Sequence, residues 1–216
     1  MRLAGIIALL GLMGGSAHAA APVGPNVLLI LADDLGWTDL GAFGSDLHET
    51  PALDQLARDG MKFTQNYSAC AVCSPTRAAL LTGKYPARLH ITDWIAGLMP
   101  DNPKLLVPDW TKFLPHDEVT LAEVFKAAGY TTASIGKWHL GGEKYYPKTH
   151  GFDINIAGTD KAAPPSYLAP WQIPTLTPEG RDGEYLTDRL GEEAVRFIER
   201  TKDRPFFLYL PHFAVH

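Results

Sequence analysis

The residues Asn26-Val-Leu-Leu-Ile-Leu-Ala32 form an almost unbroken apolar run that stops abruptly at Asp33-Asp34. A strand with one solvated face alternates apolar and polar residues. A run without alternation fits a strand covered on both faces, the habit of parallel sheets packed between helices. The rest of the chain supports that reading by alternating strand and helix signals. Thr50-Pro51 opens a helix with Leu53, Leu56 and Ala57 on one face and Gly60 as its stop. Met61 to Tyr67 alternates loosely and predicts a strand. Pro75 to Thr82 predicts a helix with Cys73 just before its N-terminus. Thr120-Leu-Ala-Glu123 is a capping box opening a helix that ends at Gly129. Thr131 to Ile135 follows as a strand turning at Gly136. Tyr185 to Lys202 is amphipathic, with Leu186, Leu190, Ala194, Phe197 and Ile198 on one side. Pro205 to Leu210 reads as a buried strand. Residues 100–115 and 162–183 are rich in Pro and polar residues without periodicity, which predicts long loops that shape a pocket. The class expected is α/β, with a mostly parallel sheet.

The first residues read as an address. Met1-Arg2 is basic, Leu3 to Met13 is apolar and uncharged, and Ala17-His18-Ala19 has the small-x-small pattern of a cleavage site. The run falls short of the roughly 20 residues that span a bilayer. The expectation is a signal peptide over residues 1–19, use of the export machinery, and a periplasmic or secreted product with no stable membrane span. A net charge of −5 without a basic stripe argues against nucleic acid as a partner. Two cysteines exclude an extracellular disulfide framework. A core strand close to His216 leads us to expect the N-terminal portion of a longer protein.

Three constellations could carry chemistry. Cys70 and Cys73 are spaced as CxxC, compatible with a redox pair, a buried structural thiol or an activated nucleophile. A helix N-terminus beside Cys73 would favour a bound oxyanion, and Arg77, one turn on, could reach back to it. Asp33-Asp34 at the end of a parallel strand lies where open α/β sheets bind ligands. The pair suits a hard cation and equally suits a solvated turn. In Gly136-Lys137-Trp138-His139, an extended backbone would put Lys137 and His139 on one face, where the lysine lowers the histidine pKa. Trp94, Trp110 and Trp171 lie in or near the long loops and could line a sugar or aryl pocket or close a core.

Cys73-Ser74-Pro75-Thr76-Arg77, followed by Leu81-Thr82-Gly83, resembles the sulfatase signature C-x-P-x-R at every fixed position. The resemblance extends in motif order from Asn26 to His216. It implies an alkaline-phosphatase-like fold, a large mostly parallel mixed sheet between helices, with residues 20–216 as the N-terminal portion of the catalytic domain. It further implies that a formylglycine-generating or maturase enzyme oxidises Cys73 to formylglycine, whose hydrate is the nucleophile for a sulfate ester substrate. Asp33, Asp34 and the modified Cys73 would hold Ca2+ or Mg2+. Arg77, Lys137 and His139 would hold sulfate and handle the diol proton. His216, with His212 as fallback, would protonate the departing alcohol. The family's further metal ligands and second sulfate-binding lysine have no counterpart in these residues and are expected beyond residue 216. A phosphoesterase or phosphonate hydrolase of the same superfamily and a non-catalytic secreted binding protein are the rival readings. The alcohol half of the substrate is not specified by these motifs.

Overall fold

A computed structural model of the chain describes residues 24–97 and 101–216, so the expected signal peptide over residues 1–19 lies outside the described residues. Four strands form one all-parallel sheet in the order β1-β4-β2-β3. They are β1 (Val27–Leu31), β2 (Thr131–Ile135), β3 (Ile154–Ile156) and β4 (Phe206–Pro211). The helices are α1 (Pro51–Asp59), α2 (Cys73–Thr82), α3 (Pro86–Leu89), α4 (Leu121–Ala127) and α5 (Leu186–Thr201). No helix among the described residues is long and apolar enough to cross a membrane.

Strand β4 organises the core because its side chains alternate between two faces that are both covered. Phe206, Leu208 and Leu210 join Leu190, Ala194 and Phe197 of α5 in one cluster. Phe207 and Tyr209 point the other way, into a cluster with Ala78 and Leu81 of α2, Ala122 of α4 and Trp138. All six residues of β4 are buried, as the sequence predicts. Burial of each large apolar side chain contributes roughly 1.5–3 kcal/mol.

Helix α4 is capped as its capping box predicts. The Thr120 hydroxyl accepts from the Glu123 amide at 3.3 Å, and the Glu123 carboxylate accepts from the Thr120 amide at 2.8 Å. Helix α5 spans one residue less at each end than the periodicity suggested, a normal margin for helix ends.

Three local expectations need correction. Strand β1 is covered on one face only: Val27, Leu29 and Leu31 pack inward, whereas Leu28 and Ile30 are exposed. Among the described residues β1 lies at the sheet edge, and α5 packs on β2 and β4 without reaching it. Met61 to Tyr67 forms no strand, because no neighbouring strand offers it a ladder and its side chains face solvent. Helix α2 begins at Cys73 itself, with Val72 as its N-cap. Pro75 then sits in the first turn, where a missing N–H costs no helical hydrogen bond.

Candidate active site at the carboxyl edge of the sheet

The chain leaves β1, β2 and β4 at the same edge of the sheet, and the predicted residues come from those three exits. Asp33 and Asp34 follow β1, Lys137 and His139 follow β2, and His216 follows β4. The pairing of β1 with β4 continues past both strands. The Asp33 amide donates to the Ala214 carbonyl at 2.9 Å, and the Val215 amide donates to the Asp33 carbonyl at 2.8 Å. That continuation carries His216 to 3.8 Å from the Asp34 carboxylate. The N-terminus of α2 brings Cys73 and Arg77 to the same place.

At the centre is a buried ion-pair triad. Asp33 accepts from Arg77 Nη2 at 3.0 Å through one oxygen and from the Lys137 ammonium through the other. Arg77 is 1% exposed and Lys137 fully buried, so the lysine charge has no water to fall back on and the arginine meets only the cavity. Burial alone would raise the Asp33 pKa, but the two cations outweigh it and hold the carboxyl below its ordinary value. A second Arg77 donor, Nη1, reaches the Lys137 carbonyl at 2.7 Å, while the buried Nε has no partner.

Lys137 reaches Asp33 because the chain turns sharply after β2. Gly136 has φ +124°, and a Cβ there would lie 1.9 Å from the Pro211 carbonyl oxygen. Only glycine lets the backbone pass so close. The Lys137 amide then donates to that same carbonyl at 2.7 Å. The segment does not stay extended, and His139 itself adopts a left-handed φ of 57°. Lys137 and His139 therefore take separate partners instead of sharing a strand face.

His139 is fully buried. Its Nε2 donates to the Ile95 carbonyl, which fixes the tautomer and leaves Nδ1 as a buried lone pair without a partner. Burial, opposed in part by the Ile95 carbonyl and reinforced by Lys137 and Arg77, lowers its pKa to about 4. The lysine effect anticipated from sequence is present, but burial is the larger cause. Ser74 ties this segment to α2: its hydroxyl donates to the His139 carbonyl at 2.9 Å and accepts from the Ile95 amide at 3.0 Å. Neither Ser74 nor Ile95 was singled out by sequence. Ser74 sits in a variable position of the motif, and nothing in a backbone carbonyl's residue type announces its use.

Cys73 is half-buried at the first position of α2, and both cysteines are free thiols. The loop before it is pinned by the Ser68 and Thr76 hydroxyls, each donating to the Cys70 carbonyl at 2.8 Å. Cys73 shares a cavity of about 360 Å3 with Asp33, Asp34 and Arg77. Lys137 and His139 stand behind its wall and do not line it. Asp34 is largely exposed and, like His139, holds a left-handed φ, here 60°. Such backbone costs about 1–3 kcal/mol and persists where surroundings enforce it. His216 is partly exposed beside Asp34. His212 does not line this cavity, and burial lowers its pKa.

Asp33 and Asp34 offer the hard oxygen donors that calcium or magnesium prefers. Both oxygens of Asp33 already hold a cation of the protein. Among the described residues no group of three or more His, Cys, Asp or Glu could hold a metal ion. The donors thus fit a hard cation in kind and fall short in number of the roughly six to eight oxygens that calcium takes.

The geometry agrees with comparison to known proteins. The family model described as Sulfatase matches residues 25–216. The chain is 38% identical over 226 residues to the N-acetylgalactosamine-6-sulfatase of Canis lupus familiaris, covering 94% of this chain and 42% of that one. It is 50% identical over 140 residues to arylsulfatase A of Bos taurus, covering 63% of this chain and 26% of that one. It superposes on the crystal structure of Ps i-CgsB in complex with k-i-k-neocarrahexaose with a TM-score of 0.70 and 32% identity, covering 89% of this chain and 45% of that one. The chain therefore spans less than half the length of these relatives. Fold, motif order and family model coincide on one answer: this chain belongs to the sulfatase family, on the α/β fold of the alkaline-phosphatase type.

Proposed function

We propose that the protein to which this chain belongs hydrolyses sulfate monoesters, with residue 73 as nucleophile after oxidation of its cysteine to formylglycine. The observation that carries this reading is the convergence of Cys73, Arg77, Asp33 and Asp34 on one cavity at the carboxyl edge of the sheet. The modified residue supplies, as its hydrate, a hydroxyl that attacks sulfur and a second hydroxyl through which the ester bond to the protein is later released. A divalent cation, Ca2+ or Mg2+, held in part by Asp33, Asp34 and residue 73, would draw negative charge from the sulfuryl oxygens. Its remaining ligands would come from the portion of the relatives that this chain does not match.

The chain's own residues do the rest. Arg77, which lines the cavity, binds sulfuryl oxygens with the donors that Asp33 and Lys137 leave free. The first turn of α2 adds unpaired amides and a partial positive charge at the same point. Lys137 stands behind the wall and raises the local positive potential. His139 is neutral at physiological pH and keeps its Nδ1 lone pair free; to take the proton of residue 73 it would have to be reached through the wall that separates it from the cavity. His216, at the rim, gives a proton to the departing alcohol oxygen.

The leader over residues 1–19 would direct the protein to the periplasm or the exterior after a formylglycine-generating or maturase enzyme has acted on Cys73. The relatives' names point to sulfated carbohydrate or aryl esters as substrates. The test is turnover of an aryl sulfate against the matching aryl phosphate by the full-length protein, with and without a chelator. Faster sulfate turnover that is lost on chelation and restored by Ca2+ or Mg2+ supports the reading. Faster phosphate turnover moves the protein to the phosphoesterase branch, and no turnover of either favours a binding protein on this scaffold.

A further inference from the structure

Two cavities meet at Cys73, and they differ in chemistry. The first, described above, is lined by the charged groups Asp33, Asp34 and Arg77. The second, about 320 Å3, shares Asp34, Ala71, Val72 and Cys73 with it and adds Trp94, Ala162 and His216. A sulfate monoester has two unlike halves joined at one oxygen. The anionic half belongs beside Arg77, so the alcohol half extends into the second cavity, past the imidazole of His216. Its largest apolar wall is Trp94.

Trp94 is well placed to be a fixed wall. Its neighbour Ile95 is buried, with its amide on the Ser74 hydroxyl and its carbonyl on His139. The Trp94 amide donates to the Asp93 carboxylate at 2.8 Å. Its ring is half-buried, 6.4 Å from the His139 ring centre and tilted by 41°. Of the other loop tryptophans, Trp171 is fully buried in the α5 cluster and Trp110 lines neither cavity. A tryptophan face held in this way offers a broad apolar surface at little entropic cost. A cavity near 320 Å3 is at the small end of ligand pockets and accommodates one ring.

We propose that Trp94 is a specificity-determining residue, a stacking platform for a single six-membered ring, pyranose or aryl, that carries the sulfate. The inference rests on the proposed sulfatase reading and adds the shape of the alcohol half. The test uses the full-length enzyme with modified Cys73 and its variants Trp94→Ala and Trp94→Phe. KM and kcat are measured on a pyranose 6-sulfate, a nitrophenyl sulfate and an acyclic alkyl sulfate, together with inhibition by inorganic sulfate. Trp94→Ala should raise KM about tenfold on whichever ring ester the enzyme uses, with kcat and inhibition by inorganic sulfate changed by less than about twofold. Trp94→Phe should restore most of the loss, and the alkyl ester should show little difference. The pyranose and aryl arms separate the two sources of the ring. An unchanged KM on ring esters, or an equal rise on the alkyl ester, overturns the proposal. A joint loss of kcat and sulfate affinity also overturns it, since the ring would then merely support His139. If the unsubstituted enzyme turns over no sulfate ester at all, the sulfatase reading itself fails, and this inference falls with it.

Discussion

Replacing Asp33 by Asn removes the one anion that two buried cations share. The shape is nearly conserved, so packing changes little and the effect is electrostatic. Lys137 is fully buried and cannot recover hydration without opening the core, and Arg77, 1% exposed, can do so only through the donors it turns to the cavity. Breaking a buried ion pair by removing one partner costs about 3–5 kcal/mol, because the charge left behind is uncompensated. That is a large part of the roughly 5–15 kcal/mol by which domains are stable. The urea midpoint of the full-length protein, measured with a chelator present, should fall by that loss divided by the protein's own urea slope, which the substitution leaves unchanged. The triad also predicts the sign of a second change. Adding Lys137→Met to Asp33→Asn removes one orphaned cation, so the double variant should recover about 1–3 kcal/mol relative to additivity. A loss below about 1 kcal/mol for Asp33→Asn, or strict additivity in the double variant, would refute the claim that the triad is dry and mutually dependent.

Three further outcomes follow from the same geometry. His139 has a folded pKa of about 4 against an ordinary value of 6.5, so the unfolded chain binds its proton first as pH falls. Its contribution is complete above about pH 6.5 and is lost down to pH 4, at most about 3 kcal/mol, and His139→Gln should flatten this part of the urea-midpoint profile against pH. His216→Ala should slow esters of poorly acidic alcohols by about 10²-fold or more while nitrophenyl sulfate, whose leaving group needs no proton, loses much less; equal losses on both would remove His216 as the acid. Gly136→Ala places a Cβ against the Pro211 carbonyl at a φ that disfavours side chains. It should destabilise the protein by more than about 1 kcal/mol in urea and weaken inhibition by inorganic sulfate, because Lys137 and the Arg77 partner carbonyl shift with it.

What could be read from the sequence divides along physical lines. Local signals held: the Thr120 box caps α4, the β2 residues form a strand, and the α5 stripe finds its core. Asp33, Asp34, Cys73 and Arg77 do line one cavity, but their meeting was implied by the resemblance of the Cys73 motif to the sulfatase signature and not by local pattern, which left the Asp pair equally suited to a solvated turn. Long-range features were not legible. The apolar run of β1 suggested two covered faces, yet Leu28 and Ile30 are exposed, since coverage depends on where α5 lands and not on the run itself. β3 has only three residues and no pattern, and it exists because β2 offers it a ladder. The partners of Lys137 and His139 depended on two left-handed turns, at Gly136 and at His139. The first is readable as a glycine, and the second carries no residue-type signal.

The central claim is the identity of the nucleophile, and peptide mass spectrometry of the full-length protein from its native host tests it most directly. Trypsin should release residues 63–77, from Phe63 to Arg77, containing both Cys70 and Cys73. The account predicts a loss matching replacement of the CH2–SH side chain by an aldehyde, mapped by fragmentation to Cys73, with Cys70 unchanged. An unmodified Cys73 thiol, or a disulfide joining the two cysteines, would contradict it.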